Sequence, residues 1–201
     1  MTRRHDPGDP AAQPRLVIGI SGASGPRLAL SLLRGLHELG TVETHLVVSR
    51  GADRTLALEL ADEGGLEAVT GLADVVHDAD DLAAPISSGS FQTAGMAVVP
   101  CSMGRLAAIA NGSSDDLLAR AADVTLKERR PLVLATREAP LNLIHIRNME
   151  AVTLAGATIF PPTPAFYHRP ASIDDLLDQI AGRILDQFGI EHRLFERWTG
   201  A

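Results

Sequence analysis

Lys127 is the one lysine among 18 Lys and Arg residues in this 201-residue chain. Lysine binds phosphate as a compact point charge and adapts its pKa when desolvated, so a lone lysine among arginines is a candidate for chemistry. It is equally the residue that a GC-rich genome leaves behind by chance. Helical spacing puts Arg120, Asp123 and Lys127 on one face, with Leu117, Ala121 and Val124 beside them to pack. Past Pro131, the run Leu132–Ala135 reads as a buried strand. It hands Thr136, Arg137 and Glu138 to the edge where an open α/β sheet meets its ligand.

A second candidate lies near the N-terminus. The apolar run Arg15–Ile20 is closed by SGASG and followed by an amphipathic stretch from about Arg27 to Leu39. Strand, glycine turn and helix open a nucleotide-binding βα unit. The spacing of Gly19, Gly22 and Gly25 is not that of a dinucleotide fingerprint, and the next strand, Thr44–Val48, ends in Ser49 rather than an acid. A phosphate or mononucleotide is therefore expected at the turn, with free amides and the Ser24 hydroxyl as donors, against the plainer reading of a tight turn. Ser49 opens a helix over Gly51–Asp62, where it caps the amides or offers them to an anion; Glu59 is by pattern an ordinary helical acid.

The remaining chain supplies the frame. Residues 63–84 are acidic and loosely patterned, with short elements at Leu66–Thr70 and Val75–Val76, and PISSGS (85–90) is a hydroxyl-rich loop. Met96–Pro100 reads as a buried strand delivering Cys101 and Ser102, with Cys101 a buried, inert thiol rather than a nucleophile. Helices are expected over Met103–Ala110, Ser114–Lys127, about Pro140–Ala155 and Ser172–Gln187, and a further strand over Ala157–Phe160. His145 lacks a partner at metal-ligand spacing. A proline-stiffened loop, PPTPAFYHRP, carries the only tyrosine, Tyr167. Arg183 falls at the edge of the last helix's apolar stripe, an unusual place for a cation that has no anion to meet. Trp198, the only tryptophan, is expected to pack on another surface, such as a neighbouring subunit.

Composition bounds the function. A net charge of −7 argues against a nucleic-acid surface, and no apolar run approaches a membrane span. One cysteine excludes a disulfide framework and suits a reducing, cytoplasmic setting. The reading is a disordered tail over 1–14, a single domain over 15–190 and a C-terminal tail over 191–201.

Over nearly all of residues 15–190, the chain resembles the UbiX-type flavin prenyltransferases. The matching stretches are GISGASG, SSGSF, VVPCSMGRLAAIANG, DDLLARAADVTLKERRPLVL, TREAPL, HIRNM and PPTPAFYHRP. The resemblance implies an α/β, Rossmann-like (flavodoxin-like) three-layer fold with a mostly parallel sheet. It implies transfer of a dimethylallyl group from dimethylallyl monophosphate to N5 and C6 of reduced FMN. The prenylated FMN would serve a UbiD-type decarboxylase, no metal would be required, and the assembly would be a homo-oligomer, up to a dodecamer.

Carried over by position, Gly22, Ala23, Ser24, Ser49, Ser88, Ser90, Ser102, Met103 and Arg120 would contact the flavin. Lys127, Arg137, Tyr167 and Arg183 would grip the substrate phosphate, and Ser24, Glu59, Lys127 and Glu138 would carry the catalytic step. The chain departs from the family pattern in places. Asp116 stands where these proteins commonly have Asn, GASG lacks its usual following Tyr and Gly, SSGSF replaces ASGSF, and Leu82 replaces an aromatic of some members. Two other readings are an FMN-dependent cysteine decarboxylase-like flavoprotein and a non-catalytic FMN-binding subunit. The first should carry a catalytic histidine that no motif here supplies, and the second has no use for a second phosphate site.

Overall fold

The computed structural model describes residues 13–200, so the tail expected over 1–14 lies outside them apart from Gln13 and Pro14. The apolar runs become β1 (Arg15–Ile20), β2 (Glu43–Val48), β3 (Val75–His77), β4 (Gly95–Cys101), β5 (Leu132–Thr136) and β6 (Thr158–Ile159). They form one six-stranded sheet in the order β3-β2-β1-β4-β5-β6, and every neighbouring pair is parallel. Parallel strands joined by helices must be covered on both faces, which is why the central strands read as unbroken apolar runs rather than alternating ones.

One face is covered by α1 (Pro26–Leu39), α2 (Arg50–Glu59), α3 (Gly65–Thr70) and α7 (Ile173–Asp186). Their Leu28, Leu32, Leu56, Val69, Ile180 and Ile184 pack on Leu16, Ile18, Leu46 and Val99. The other face is covered by α4 (Met103–Ala110), α5 (Leu117–Lys127) and α6 (Leu143–Leu154), through Leu106, Leu118 and Val152 against Met96, Val98 and Leu134. Burying one such side chain contributes about 1.5–3 kcal/mol, so the two faces fix the register of every strand between them.

Caps correct several expected boundaries. Asp116 accepts from the Ala119 amide at 2.8 Å, so α5 starts at Leu117 rather than Ser114. Asn142 accepts from the His145 amide at 2.9 Å, and His145 answers through its ring, so α6 begins after Asn142 rather than at Pro140. That reciprocal cap is the role of His145. β6 pairs over two residues rather than the four of Ala157–Phe160, and α2 ends at Glu59.

The C-terminal segment lies against the domain. Leu194 sits in the notch left by Gly35, where an added Cβ would lie 2.9 Å from its Cδ1. His192 and Phe195 fill the notch at Gly182, at 2.5 and 2.7 Å by the same measure. Asp186 accepts from His192 Nε2 at 3.2 Å and from Arg197 at 2.6 Å. Trp198 then meets Tyr167 edge-on, with ring centroids 5.7 Å apart. Arg183 is exposed rather than turned inward; its Nε lies 3.5 Å from Asp186, an i,i+3 partner that draws it along the helix surface.

Near the start of β2, His45 is buried. Its Nε2 lies 2.9 Å from Glu43 Oε1 and its Nδ1 2.9 Å from His77 Nε2. An ionised Glu43 takes the Nε2 proton, which leaves Nδ1 to accept from His77. Phe91 meets His45 edge-on, with Arg15 4.5 Å above the Phe91 ring, so this chain of groups sits under the loop that contains Ser88 and Ser90.

Candidate active site

The sheet changes direction between β1 and β4. The chain proceeds from β1 outward to β2 and β3, then returns to the other side of β1 with β4. At such a switch point the loops leaving the two strands diverge and open a crevice. Ser21 ties its two walls together. The Ser21 amide and hydroxyl donate to Pro100 O at 3.2 and 2.8 Å, and the Ser102 amide donates to Ser21 Oγ at 2.8 Å. Pro100 lacks an amide, so the ladder between β4 and β5 breaks between Val98 and Cys101. Its carbonyl is satisfied by Ser21 instead.

The crevice has a volume of about 450 Å³ and is lined by Ser21, Gly22, Ser49, Arg50, Ser102 and Arg105, among others. Gly22 has to be glycine: a Cβ there would lie 2.6 Å from the carbonyl oxygen of Gly51. The turn backbone thereby lies directly against the first residues of α2. Ser49 precedes that helix and is buried, yet its hydroxyl makes no capping bond and remains free for the crevice. Hydroxyls, a glycine turn and a helix N-terminus together suit a phosphomonoester of a mononucleotide. Among the described residues, no group of three or more His, Cys, Asp and Glu side chains could hold a metal ion.

Both arginines lining the crevice are paired. The two terminal nitrogens of the Arg105 guanidinium donate to the two carboxylate oxygens of Asp116, Nη1 to Oδ1 at 2.7 Å and Nη2 to Oδ2. Arg50 pairs with Asp80 at 2.7 Å. Asp115 also lines the crevice. Sequence reading passed over Ser21, Asp80, Arg105 and Asp115. Ser21 opens the SGASG turn, and its hydroxyl beside the glycines is the available signal.

The structure gathers some of the expected site residues and separates others. Glu59 Oε2 accepts from the Gly25 amide at 2.8 Å. Gly25 has φ 95, a value that favours glycine, and a Cβ there would lie 4.0 Å from Arg137 Cδ. Glu59 and Arg137 therefore flank the turn that carries Gly22, Ala23 and Ser24. Ser24 is exposed and Ala23 buried. Glu138 follows, exposed, with its carboxylate on the Ala139 amide at 3.1 Å. Ser102 caps α4 through the Arg105 amide at 3.2 Å, with Met103 buried beside it. Cys101 is fully buried, and burial pushes its thiol up to about 12, against the charge of Arg105.

A second group lies elsewhere. Ser88 and Ser90 hydroxyls are 3.0 Å apart. Arg120 donates to Ser87 O at 3.2 Å and pairs with Asp123 at 2.8 Å, facing that loop. Lys127 pairs with Glu128 beside Gly89, and its ammonium holds the Glu128 carboxyl below the usual range. Along α5 the helix rise puts Lys127 about 15 Å from the Asp116 end. Tyr167 and Arg183 form a third group on the opposite face of the sheet. Tyr167 Oη lies 3.4 Å from Gln179 Nε2, on the helix that carries Arg183.

Comparison with known proteins bears on the family and the fold. A family model described as Flavoprotein matches residues 6–185. The flavin prenyltransferase UbiX of Escherichia coli (strain K12) is 54% identical over 189 residues, covering 93% of this chain and 99% of that protein. A crystal structure of AnUbiX in complex with FMN and dimethylallyl pyrophosphate is 53% identical, with a TM-score of 0.91, covering 94% of this chain and 100% of that one. The dodecameric FMN-dependent UbiX-like decarboxylase from Escherichia coli O157:H7 is 49% identical, with a TM-score of 0.89, covering 92% of this chain and 100% of that one. A six-stranded parallel sheet with its crevice at the β1/β4 switch point, and identity above half over almost the whole chain, make the assignment plain: the chain belongs to the flavoprotein family, among its UbiX-type flavin prenyltransferases.

Proposed function

We propose that this protein transfers a dimethylallyl group from dimethylallyl monophosphate to N5 and C6 of reduced FMN, making prenylated FMN for a UbiD-type decarboxylase in the cytoplasm. The observation that carries the reading is the hydroxyl-lined crevice at the switch point, in which Gly22 admits no side chain. Reduced FMN supplies the two nucleophilic ring positions, and the chain supplies position and charge. Gly22, Ala23, Ser24 and Ser49 would hold the flavin phosphate end, and Ser102 and Met103 would lie beside the ring. Glu59 and Glu138 stand by the turn, where a proton can be held or moved.

A prenyl phosphate ionises only when its departing phosphate is held and neutralised. In this reading Lys127, Arg137 and Arg183 supply the charge and Tyr167 a hydroxyl. Within one protomer, however, Lys127 and Arg137 stand at opposite ends of the sheet. The reading therefore includes assembly, with neighbouring copies completing each site; Arg120, Ser88 and Ser90 would then reach a neighbour's flavin together with Lys127. Helix α6 supports assembly, because Leu143, Ile144, Ile146 and Leu154 are all exposed on it. The 49% identical relative is itself dodecameric. The test is anaerobic incubation with reduced FMN and dimethylallyl monophosphate, followed by mass spectrometry of the released flavin. A flavin heavier by one cyclised C5 unit supports the reading, and recovery of unmodified FMN alone overturns it.

A further inference from the structure

We propose that Asp116 and Arg105 form a charge clamp that sets how tightly the crevice holds the phosphate of its flavin. The inference rests on the reading of the crevice as a flavin site. Arg105 lines the crevice, and its guanidinium is engaged through two nitrogens by both oxygens of Asp116. The pair is well shielded, with side chains only 13% and 19% exposed. Asp116 is fixed independently, because its Oδ1 also accepts from the Ala119 amide at 2.8 Å. That bond places the carboxylate on the positive end of α5, where it is stabilised as an anion. Asp116 thus cannot swing away with Arg105 without uncapping a helix.

The consequence is electrostatic. Arg50 and Arg105 bring two positive charges to the crevice, while Asp80, Asp115 and Asp116 bring three negative ones to it or to their salt bridges. A phosphate entering here meets hydroxyls and amides, but no unneutralised cation from these five residues. Asp116 spends the guanidinium that would otherwise face the ligand and adds an anion that repels it. The clamp keeps Arg105 in place and holds affinity below what the same backbone could reach. That suits a protein that must release its flavin once modified.

The test compares FMN with riboflavin, which shares the ring and lacks the phosphate, by fluorescence titration of the oxidised ligands against the intact protein. Asn caps helices as well as Asp, so Asp116→Asn removes the charge and keeps α5. Asp116→Asn should tighten FMN about three- to tenfold and leave riboflavin within about twofold. It should also steepen the fall of FMN affinity with added salt. In an Arg105→Gln background, Asp116→Asn should keep the part of that gain that comes from removing an anion and lose the part that comes from freeing a guanidinium, so the two changes should be non-additive. An FMN-to-riboflavin affinity ratio unchanged by Asp116→Asn overturns the clamp while leaving the flavin site standing. Failure of the parent protein to bind FMN at all overturns the flavin site and the clamp with it.

Discussion

Two inactive variants should restore each other if copies share a site. Lys127→Ala removes a cation at the end of α5, and Arg137→Ala removes one just past the end of β5. The two positions are separated by the length of β5, five residues or about 16 Å of extended chain. Each substitution deletes one charge-assisted contact to a departing phosphate, which costs about 3–4 kcal/mol, or roughly a hundred- to a thousandfold in rate. Each variant alone should therefore prenylate FMN at about 1% of the parent rate or less. In oligomers assembled at random from equal amounts of both, a site taking Lys127 from one copy and Arg137 from another is intact in about a quarter of cases. The assay is single-turnover prenylation by co-expressed, differently tagged variants, with mixed composition checked by native mass spectrometry. Recovery to about a quarter of the parent rate per site is the expected result. Mixed oligomers no more active than either variant alone would show that both residues act within one copy, and would sink the shared site.

Gly22→Ala should weaken FMN by about tenfold or more, since its Cβ must push the Gly51 carbonyl out of 2.6 Å contact, at a cost of about 1–3 kcal/mol. Gly104→Ala is the control: it lines the same crevice but a Cβ there meets nothing within 4 Å, so titration should show no change. Cys101, pushed up to about 12 by burial, should ignore a thiol reagent at pH 8 in the folded protein and react fully in denaturant. Burial holds His45 below the ordinary histidine range, against the opposing pull of Glu43. Burial and the charge of His45 do the same to His77, with Asp81 opposing. For Glu43, burial pushes up, but His45 and Arg15 outweigh it and hold the carboxyl low. All three folded-state values are depressed, so the unfolded chain takes up protons first; stability is present above about pH 6.5 and is lost as pH falls through the lower folded values. Thermal melting followed from pH 7.5 to 5 should show this loss, and a flat profile would refute it.

Much of the fold was legible because its parts are local. The apolar runs of β1, β2, β4 and β5 and the SGASG turn need only period, composition and glycine to be read. Caps were legible in type and only partly in place: Ser172 caps α7 as its position suggests, but Asp116 and Asn142, rather than Ser114 and Pro140, start α5 and α6. Several residues in each segment could have capped, and packing chose among them. The Arg105–Asp116 pair was invisible for a different reason. Arg105 lies in the first turn of α4 and Asp116 just before α5, so no single helix relates them, and only the way the two helices meet brings them together. The docking of Leu194 and His192 into notches at Gly35 and Gly182 is of the same kind, since a glycine within a helix signals a close neighbour without naming it.

The separation of Lys127 from Arg137, by contrast, was contained in the sequence. Helix α5 ends only a few residues before β5 begins. Its C-terminus therefore lies at the edge where the following strand begins, and the ligand crevice lies at the edge where that strand ends. Lys127 closes α5 and Arg137 follows β5, so the strand–helix order alone assigns them to opposite edges of the sheet. Short sequence distance gives the opposite impression, because the chain crosses the whole sheet between them. If both residues grip one phosphate, as proposed, the site needs two copies: with this topology the α5 end of one copy would have to meet the crevice of another.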